Sequence, residues 1–494
     1  MPCEDFVHEA EEALKRPMFG KSNPELAAHK YEEAAKCYKK NNDFKTASRV
    51  LGYAAKLRLD MGDTFMAAPD FEELGILAKM LKEPHQDFFL TAAASYKRVA
   101  EGFSGNPLKS SEMYSKVAEC FIEAGRCEDA AQVYLSSAEL SLKTDNYMRA
   151  IVNLAGAMNC YDIEKNYARA REISEQVSEI WLRQGIFEKA MESFGKTAYY
   201  LAKLGDLNAA LNSHLKAVEA AKKQPNRRFL ARCYEDVGHS YLTLHNMKKA
   251  GYHYFLAGEE YIAVGSKPSA IENYQKASDA YIEASAPKNA VTCLLKMAQV
   301  QRSEKNLSAA EPCYLKSADL LEKEGDIEPA KIVLTQRAEM WEGASDLFNS
   351  ARAHEDVAQF CERNGRDSNK YYEKAASYHF LNAEKLAKIK NVVLSRKEYE
   401  YAGICFEKMG NLDRAIECYK NSDNVGEYNR LARKMGIFES RTAEDTERRI
   451  QQIEIELQEI EKDRRGNMLA EEEFQMLKKT YLSLKGKFEE KLKW

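Results

Sequence analysis

The sequence is poor in the residues that interrupt regular structure. Of 494 positions only 24 are glycine and 11 proline, while 45% are hydrophobic and 30% charged. That composition excludes collagen-like and disordered chains. Neither sign of charge dominates, with 73 lysines and arginines against 77 aspartates and glutamates, which excludes whole-chain electrostatic wrapping of nucleic acid. No apolar run approaches the roughly 18 residues that cross a bilayer. The opening Met1-Pro2-Cys3-Glu4-Asp5 is acidic and has neither the basic nor the apolar region of a signal peptide. Eleven cysteines are scattered without any Cys-x-x-Cys pair. They are expected to be buried thiols in a reducing compartment, not a disulfide or zinc framework. The expectation is a soluble cytoplasmic protein.

Motifs that carry chemistry are just as scarce. There is no Gly-x-Gly-x-x-Gly, no P-loop, no His-Glu-x-x-His and no Gly-x-Ser-x-Gly. His239, His245 and His253 form the one local histidine cluster, but offsets of six and eight do not put three ligands on one helical face. Cys120, Cys293 and Cys418 fall within helical stripes, where a thiol acts as a small hydrophobe. Carboxylate pairs such as Glu32-Glu33 and Glu259-Glu260 read as solvated helix faces. No catalytic residue, cofactor or metal site is expected, and the protein is not expected to be an enzyme.

What the sequence does have is a period. An alanine returns every twenty residues at Ala190, Ala210, Ala250, Ala270, Ala290, Ala310 and Ala330, interrupted by Leu230. Five residues before them lie turn positions: Gly185, Gly205, Gly265 and Gly325, with His245, Ser285 and Lys305 at the others. Four residues after them comes a bulky side chain: Phe194, Tyr254, Tyr274, Leu294, Tyr314 and Leu334, with His214 the polar exception. Offsets of four and three place small and large residues on one helical stripe. Each unit is then a helix of about 16 residues, about 24 Å long, ended by a residue that turns the chain. One such helix cannot bury its stripe alone, so the units must stack.

The spacing resembles the tetratricopeptide repeat. Tyr234, Gly238, Tyr241, Ala250, Tyr254 and Ala257 follow its pattern in order, and so do Tyr31–Ala54, Tyr114–Tyr134 and Tyr399–Tyr419. The repeat's closing proline is mostly missing, and two units make about 40 residues instead of about 34. The expected fold is all-α: a tetratricopeptide-like, right-handed α-solenoid of long antiparallel helix pairs with a C-terminal helical hairpin. Residues 1–24 are expected to hold an amphipathic helix and an exposed hydrophobic loop, residues 25–438 the solenoid, and residues 439–494 a charged, coiled-coil-like hairpin. In that last segment Ile450, Ile453, Leu457 and Ile460, then Phe474, Leu477, Tyr481, Leu484 and Phe488, follow heptad-like spacing. It is either a polar cap or a seam for a partner helix.

Two sets of residues are candidate contacts. Met18 and Phe19, flanked by Lys15, Arg16 and Lys21, could dip into a lipid headgroup region, or could staple the first helical hairpin. Lys189, Lys196, Lys203, Lys216, Lys222, Lys223, Arg227 and Arg228 make the middle of the chain basic. On a concave face they would favour an acidic helical partner; on outer positions they would only be solvated.

The stretch Met18-Phe19-Gly20-Lys21-Ser22, followed by Ala28, Tyr31, Ala34-Ala35, Ala47 and Ala54-Ala55, resembles the start of the soluble NSF attachment proteins (SNAPs). That resemblance implies a non-enzymatic adaptor in vesicle or endosome traffic. Such a protein would clasp a SNARE-like helical bundle, touch membrane through Met18 and Phe19, and sit peripherally on vesicle or endosome membranes. Two features depart from the family. The chain is long, and its end, Lys491-Leu492-Lys493-Trp494, is basic where the family's ATPase-engaging end is acidic. The start is also similar to that of the huntingtin-associated protein encoded within the factor VIII intron, through Lys21–Pro24. This second likeness implies a structural subunit of a large cytosolic scaffold.

Overall fold

The computed structural model describes residues 2–15, 22–435, 443–465 and 471–492. Every element among them is a helix, as the period predicts. By compactness the chain divides into two units, Met1–Asn306 and Leu307–Trp494, a boundary that falls within the span expected to be one repeat array.

The first unit contains α1 (Cys3–Leu14), α2 (Pro24–Lys40), α3 (Phe44–Asp60), α4 (Thr64–Met80), α5 (Gln86–Gly102), α6 (Pro107–Glu123), α7 (Cys127–Lys143) and α8 (Tyr147–Ile163). It continues through α9 (Tyr167–Arg183), α10 (Phe187–Lys203), α11 (Leu207–Lys222), α12 (Arg227–Thr243), α13 (Met247–Ala263), α14 (Lys267–Glu283) and α15 (Pro287–Ser303). The second unit contains α16 (Leu307–Lys323), α17 (Ile327–Gly343), α18 (Leu347–Arg363), α19 (Asn369–Lys388), α20 (Val392–Lys408), α21 (Leu412–Asn421) and α22 (Val425–Lys434). Two long helices follow, α23 (Ala443–Arg465) and α24 (Glu471–Leu492). From α6 to α18 every helix starts twenty residues after the last.

The turn positions behave as one class whatever residue fills them. Gly185, Gly205, Gly265 and Gly325 have φ of 69°, 83°, 76° and 79°, and His245, Ser285 and Lys305 have 55°, 52° and 59°. The left-handed conformation ends one helix by capping its last carbonyls: Gly205 N–H donates to Ala202 O and Asp206 N–H to Leu201 O. Asp206 then opens α11, its carboxylate accepting from Ala209 N–H at 2.9 Å. One residue thus closes a helix and starts the next, which is why the connections can be so short.

The alanine stripe is the contact surface. Ala190, Ala250, Ala270, Ala290, Ala310 and Ala330 are wholly buried. Where Leu230 breaks the series the position is half-buried, while Ala231 beside it is wholly buried. At Tyr254 and Tyr274 the aromatic four residues on lies against a glycine of the adjacent helix. A Cβ at Gly258 would meet the Tyr274 ring at 2.6 Å, and one at Gly238 the Tyr254 ring at 2.9 Å. Only a bare backbone admits these rings.

One expectation fails at the N-terminus. Cys3 and Cys37 form a disulfide between α1 and α2, so the cysteines are not all free thiols. The amphipathic face of α1 is the cause. Phe6, Val7 and Ala10 pack against Tyr31, Ala34 and Ala35, which aligns the helices antiparallel and sets Cys3 beside the end of α2. The remaining cysteines are free, and all but Cys127 are buried. In the C-terminal segment α23 and α24 pack together, with Ile453 buried. Ion pairs Lys478–Glu461 at 2.7 Å and Lys485–Glu454 at 2.6 Å tie them in antiparallel order.

Candidate protein-interaction surface

Within each unit, helices pack mainly on their neighbours in sequence, so helices two apart lie side by side with the intervening one behind them. Ion pairs bridge such partners: Lys276 of α14 to Glu235 of α12 at 2.8 Å, Lys296 of α15 to Glu259 of α13 at 3.0 Å, and Lys408 of α20 to Glu362 of α18 at 3.0 Å. Between the flanking helices open clefts, each floored by a side chain from the helix behind.

Three clefts stand out in the first unit. One of about 640 Å³ lies between α4 and α6, walled by Glu72, Ile76 and Glu119 and floored by Phe89 of α5. One of about 540 Å³ lies between α12 and α14, walled by Glu235, His239, Lys276 and Asp279, with Tyr254 of α13 beneath. A third, of about 420 Å³, lies between α9 and α11, walled by Glu175, Glu179, Lys216, Glu219 and Lys223, with Phe194 of α10 beneath. His214 of α11 reaches the α12–α14 cleft from behind. Its Nδ1 is 2.7 Å from the Ser240 hydroxyl, and burial pushes its pKa down to about 4, so the imidazole is neutral at neutral pH.

The cleft walls carry a further periodic signal. Nine residues after the periodic alanine stands an acidic residue in Glu179, Glu219, Glu259, Asp279, Asp319 and Glu339. Nine residues is two and a half turns, so this position leaves the buried stripe and faces outward along the cleft. Glu179, Glu219 and Asp279 wall the clefts above.

The candidate cations between Lys189 and Arg228 are all exposed, and the structure brings only some together. Lys216 and Lys223 share the α9–α11 cleft, their ammonium groups over the Phe194 and Phe187 rings at 6.0 and 5.4 Å. Lys189, Lys196 and Lys203 lie on α10, where Lys189 pairs with Glu192 at 2.9 Å and Lys203 covers Tyr199. Lys222 lies over Tyr234. Arg227 and Arg228 open α12, and Arg227 reaches Glu260 at 3.4 Å. Lys15 is exposed and paired with Glu12. Arg16, Met18, Phe19 and Lys21 lie outside the described residues. Of the three histidines, His239 is on α12, His245 is in the turn, and His253 is on α13, stacked on Tyr241 at 5.4 Å. Among the described residues no helix is long and apolar enough to cross a membrane.

Residues 79–257, and an overlapping 184–320, match the family described as soluble NSF attachment protein, SNAP. The chain is SNAP-like across that span, a tetratricopeptide-type helical repeat. The match falls on the regular twenty-residue block and not on the Met18–Ala55 stretch. No curated protein matches the chain. Solved structures similar to it include BtubC (BKLC) from P. vanneervenii, 14% identical with a TM-score of 0.27, covering 54% of this chain and 93% of that one. Another is YrrB, a TPR protein with an unusual peptide-binding site, 18% identical with a TM-score of 0.27, covering 41% and 91%. A STAND protein with a tetratricopeptide repeat sensor from Pyrococcus horikoshii is 15% identical with a TM-score of 0.28, covering 75% and 55%.

Proposed function

We propose that this SNAP-like chain is a non-enzymatic adaptor that grips helical partner proteins, of the SNARE type, in intracellular vesicle or endosome traffic. The observation that supports this reading is the SNAP match over 79–320, on the same helices whose clefts open at regular intervals. A cleft between parallel-running helices, with an apolar floor and charged walls, is the shape that receives side chains of another helix. In the α9–α11 cleft Lys216 and Lys223 meet acidic side chains of the partner, and Phe194 meets an apolar one. Met18 and Phe19 supply the membrane contact, and the clefts sort partners by charge.

The test has two arms. A SNARE-type four-helix bundle is captured by the full chain and by Lys216→Glu/Lys223→Glu, with Lys189→Glu as control. The expected result is at least tenfold weaker capture by the double variant only, more pronounced at low salt. Equal capture by both variants, or none by the parent chain, removes the partner reading. In the second arm, flotation with anionic liposomes is lost in Met18→Ser/Phe19→Ser; unchanged flotation removes the membrane contact.

A further inference from the structure

Buried side chains in the second unit converge in a way that packing alone does not account for. His379 of α19 is 1% exposed, Cys405 of α20 is 1% exposed and Glu398 of α20 is 4% exposed. The Nδ1 of His379 lies 2.7 Å from Glu398 Oε2. Its other nitrogen, Nε2, is buried and has no hydrogen-bond partner. Facing it across 3.7 Å is Oε2 of Glu355 from α18, too far for a hydrogen bond. Glu355 is itself held by Gln359, whose Nε2 donates to Oε1 at 2.9 Å, leaving Oε2 turned toward the histidine. The Cys405 sulfur completes the group: one atom each from Glu355, His379 and Cys405 lies within 4.8 Å of the others.

We propose that Glu355, His379 and Cys405 form a zinc-binding site, with Glu398 orienting the histidine. Imidazole nitrogen, carboxylate oxygen and thiolate sulfur are the ligand types zinc takes in tetrahedral sites. Two ligands about 2.0–2.1 Å from a tetrahedral zinc stand roughly 3.3 Å apart, so the 3.7 Å between Nε2 and Oε2 needs little adjustment. Glu398 gives the arrangement its direction. A carboxylate on Nδ1–H places the ring's lone pair on Nε2, the outer-shell pairing that metal-bound histidines characteristically have. An imidazolium bridging the two carboxylates would instead have to donate from Nε2 to Glu355, and that bond is not made. Among the described residues no other three side chains of these types converge. The Glu355 side chain keeps 28% of its surface in solvent, which gives the ion a route in and a water the fourth position. On binding, the Cys405 S–H proton passes to solvent and the sulfur bonds the metal. The site is independent of the adaptor reading, since its residues lie on helices outside the SNAP match.

The experiment uses the full chain, stripped with a chelator and titrated with zinc against a chromophoric chelator. In parallel, cobalt(II) reports thiolate ligation through near-ultraviolet charge-transfer absorption. Zinc is expected to bind, and cobalt to give the thiolate band. Cys405→Ser abolishes the band, and His379→Gln weakens zinc at least 100-fold. Glu398→Gln weakens it 10- to 100-fold, the range for outer-shell partners, and Cys293→Ser changes nothing. The proposal is overturned if the parent chain binds no zinc or shows no thiolate band, results that do not depend on any variant folding. It is equally overturned if folded Cys405→Ser or His379→Gln binds as the parent does.

Discussion

The helices α6 to α12 and the helices α17 to α20 both bury polar side chains, and they choose opposite partners. In the first region the groups are neutral and mutually saturated. Ser111 Oγ lies 2.7 Å from Ser141 Oγ and 2.9 Å from Ser137 Oγ, and Asn153 donates to Ser137 at 2.8 Å while accepting from Ser115 at 2.8 Å. His214 likewise sits against a hydroxyl. In the second region the partners are charged. Arg337 reaches Glu311 and Asp356 at 2.6 Å, His354 meets Glu342 at 2.6 Å, and His379 lies between Glu398 and Glu355. The lesson is that burial alone does not give a polar group its role. A saturated network holds helices in register; an unsaturated one, with a lone pair and two further ligands around it, is built for something else.

The comparison breaks most directly at Asn153, which joins three helices through both ends of its amide. Asn153→Leu removes both amide hydrogen bonds at once, leaving Ser137 and Ser115 their bonds to Ser111. It is expected to cost about 2–4 kcal/mol in chemical denaturation followed on the first unit. Full tolerance would mean that the network is incidental.

A second experiment sharpens the contrast between the histidines. His214 has its folded pKa depressed to about 4 against about 6.5 unfolded. Between those values the unfolded chain binds the extra proton, so stability rises with pH from about 4 to about 6.5 and is lost as pH falls back through that window. The slope is at most about 1.4 kcal/mol per pH unit, because the two states differ by no more than one proton at this ring. The difference between the parent and His214→Gln isolates it from the other cleft groups. A difference that does not change with pH would show His214 to be as freely protonated as a surface residue.

The smallest effect is at the edge of the saturated network. Ser141→Ala removes one hydroxyl, but Ser111 keeps Ser137, so the loss is expected to be about 1 kcal/mol. A loss as large as that of Asn153→Leu would mean that the hydroxyls act as one unit with no periphery.

Much of the fold is legible in residues alone, for local reasons. The alanine stripe, the aromatic four positions on and the turn glycines are all set by helical spacing and by φ, and the helices start where the period puts them. Cys3 with Cys37 is not legible, because their approach depends on α1 folding back on α2. The cleft carboxylates were legible in principle, nine residues after each alanine, but solvated acids are common enough that only the clefts single them out. Glu355, His379 and Cys405 are least legible: they come from three helices, two of them beyond the regular block.

The sequence by itself determined that this chain is built of twenty-residue helical units, since helix length, turn and contact stripe all lie within one unit and need no distant partner. Tertiary structure alone decided which polar side chains meet, because each such meeting joins residues from different helices. The hydrogen bond between Glu398 and His379, and the lone pair it leaves free, exist only once those helices are packed.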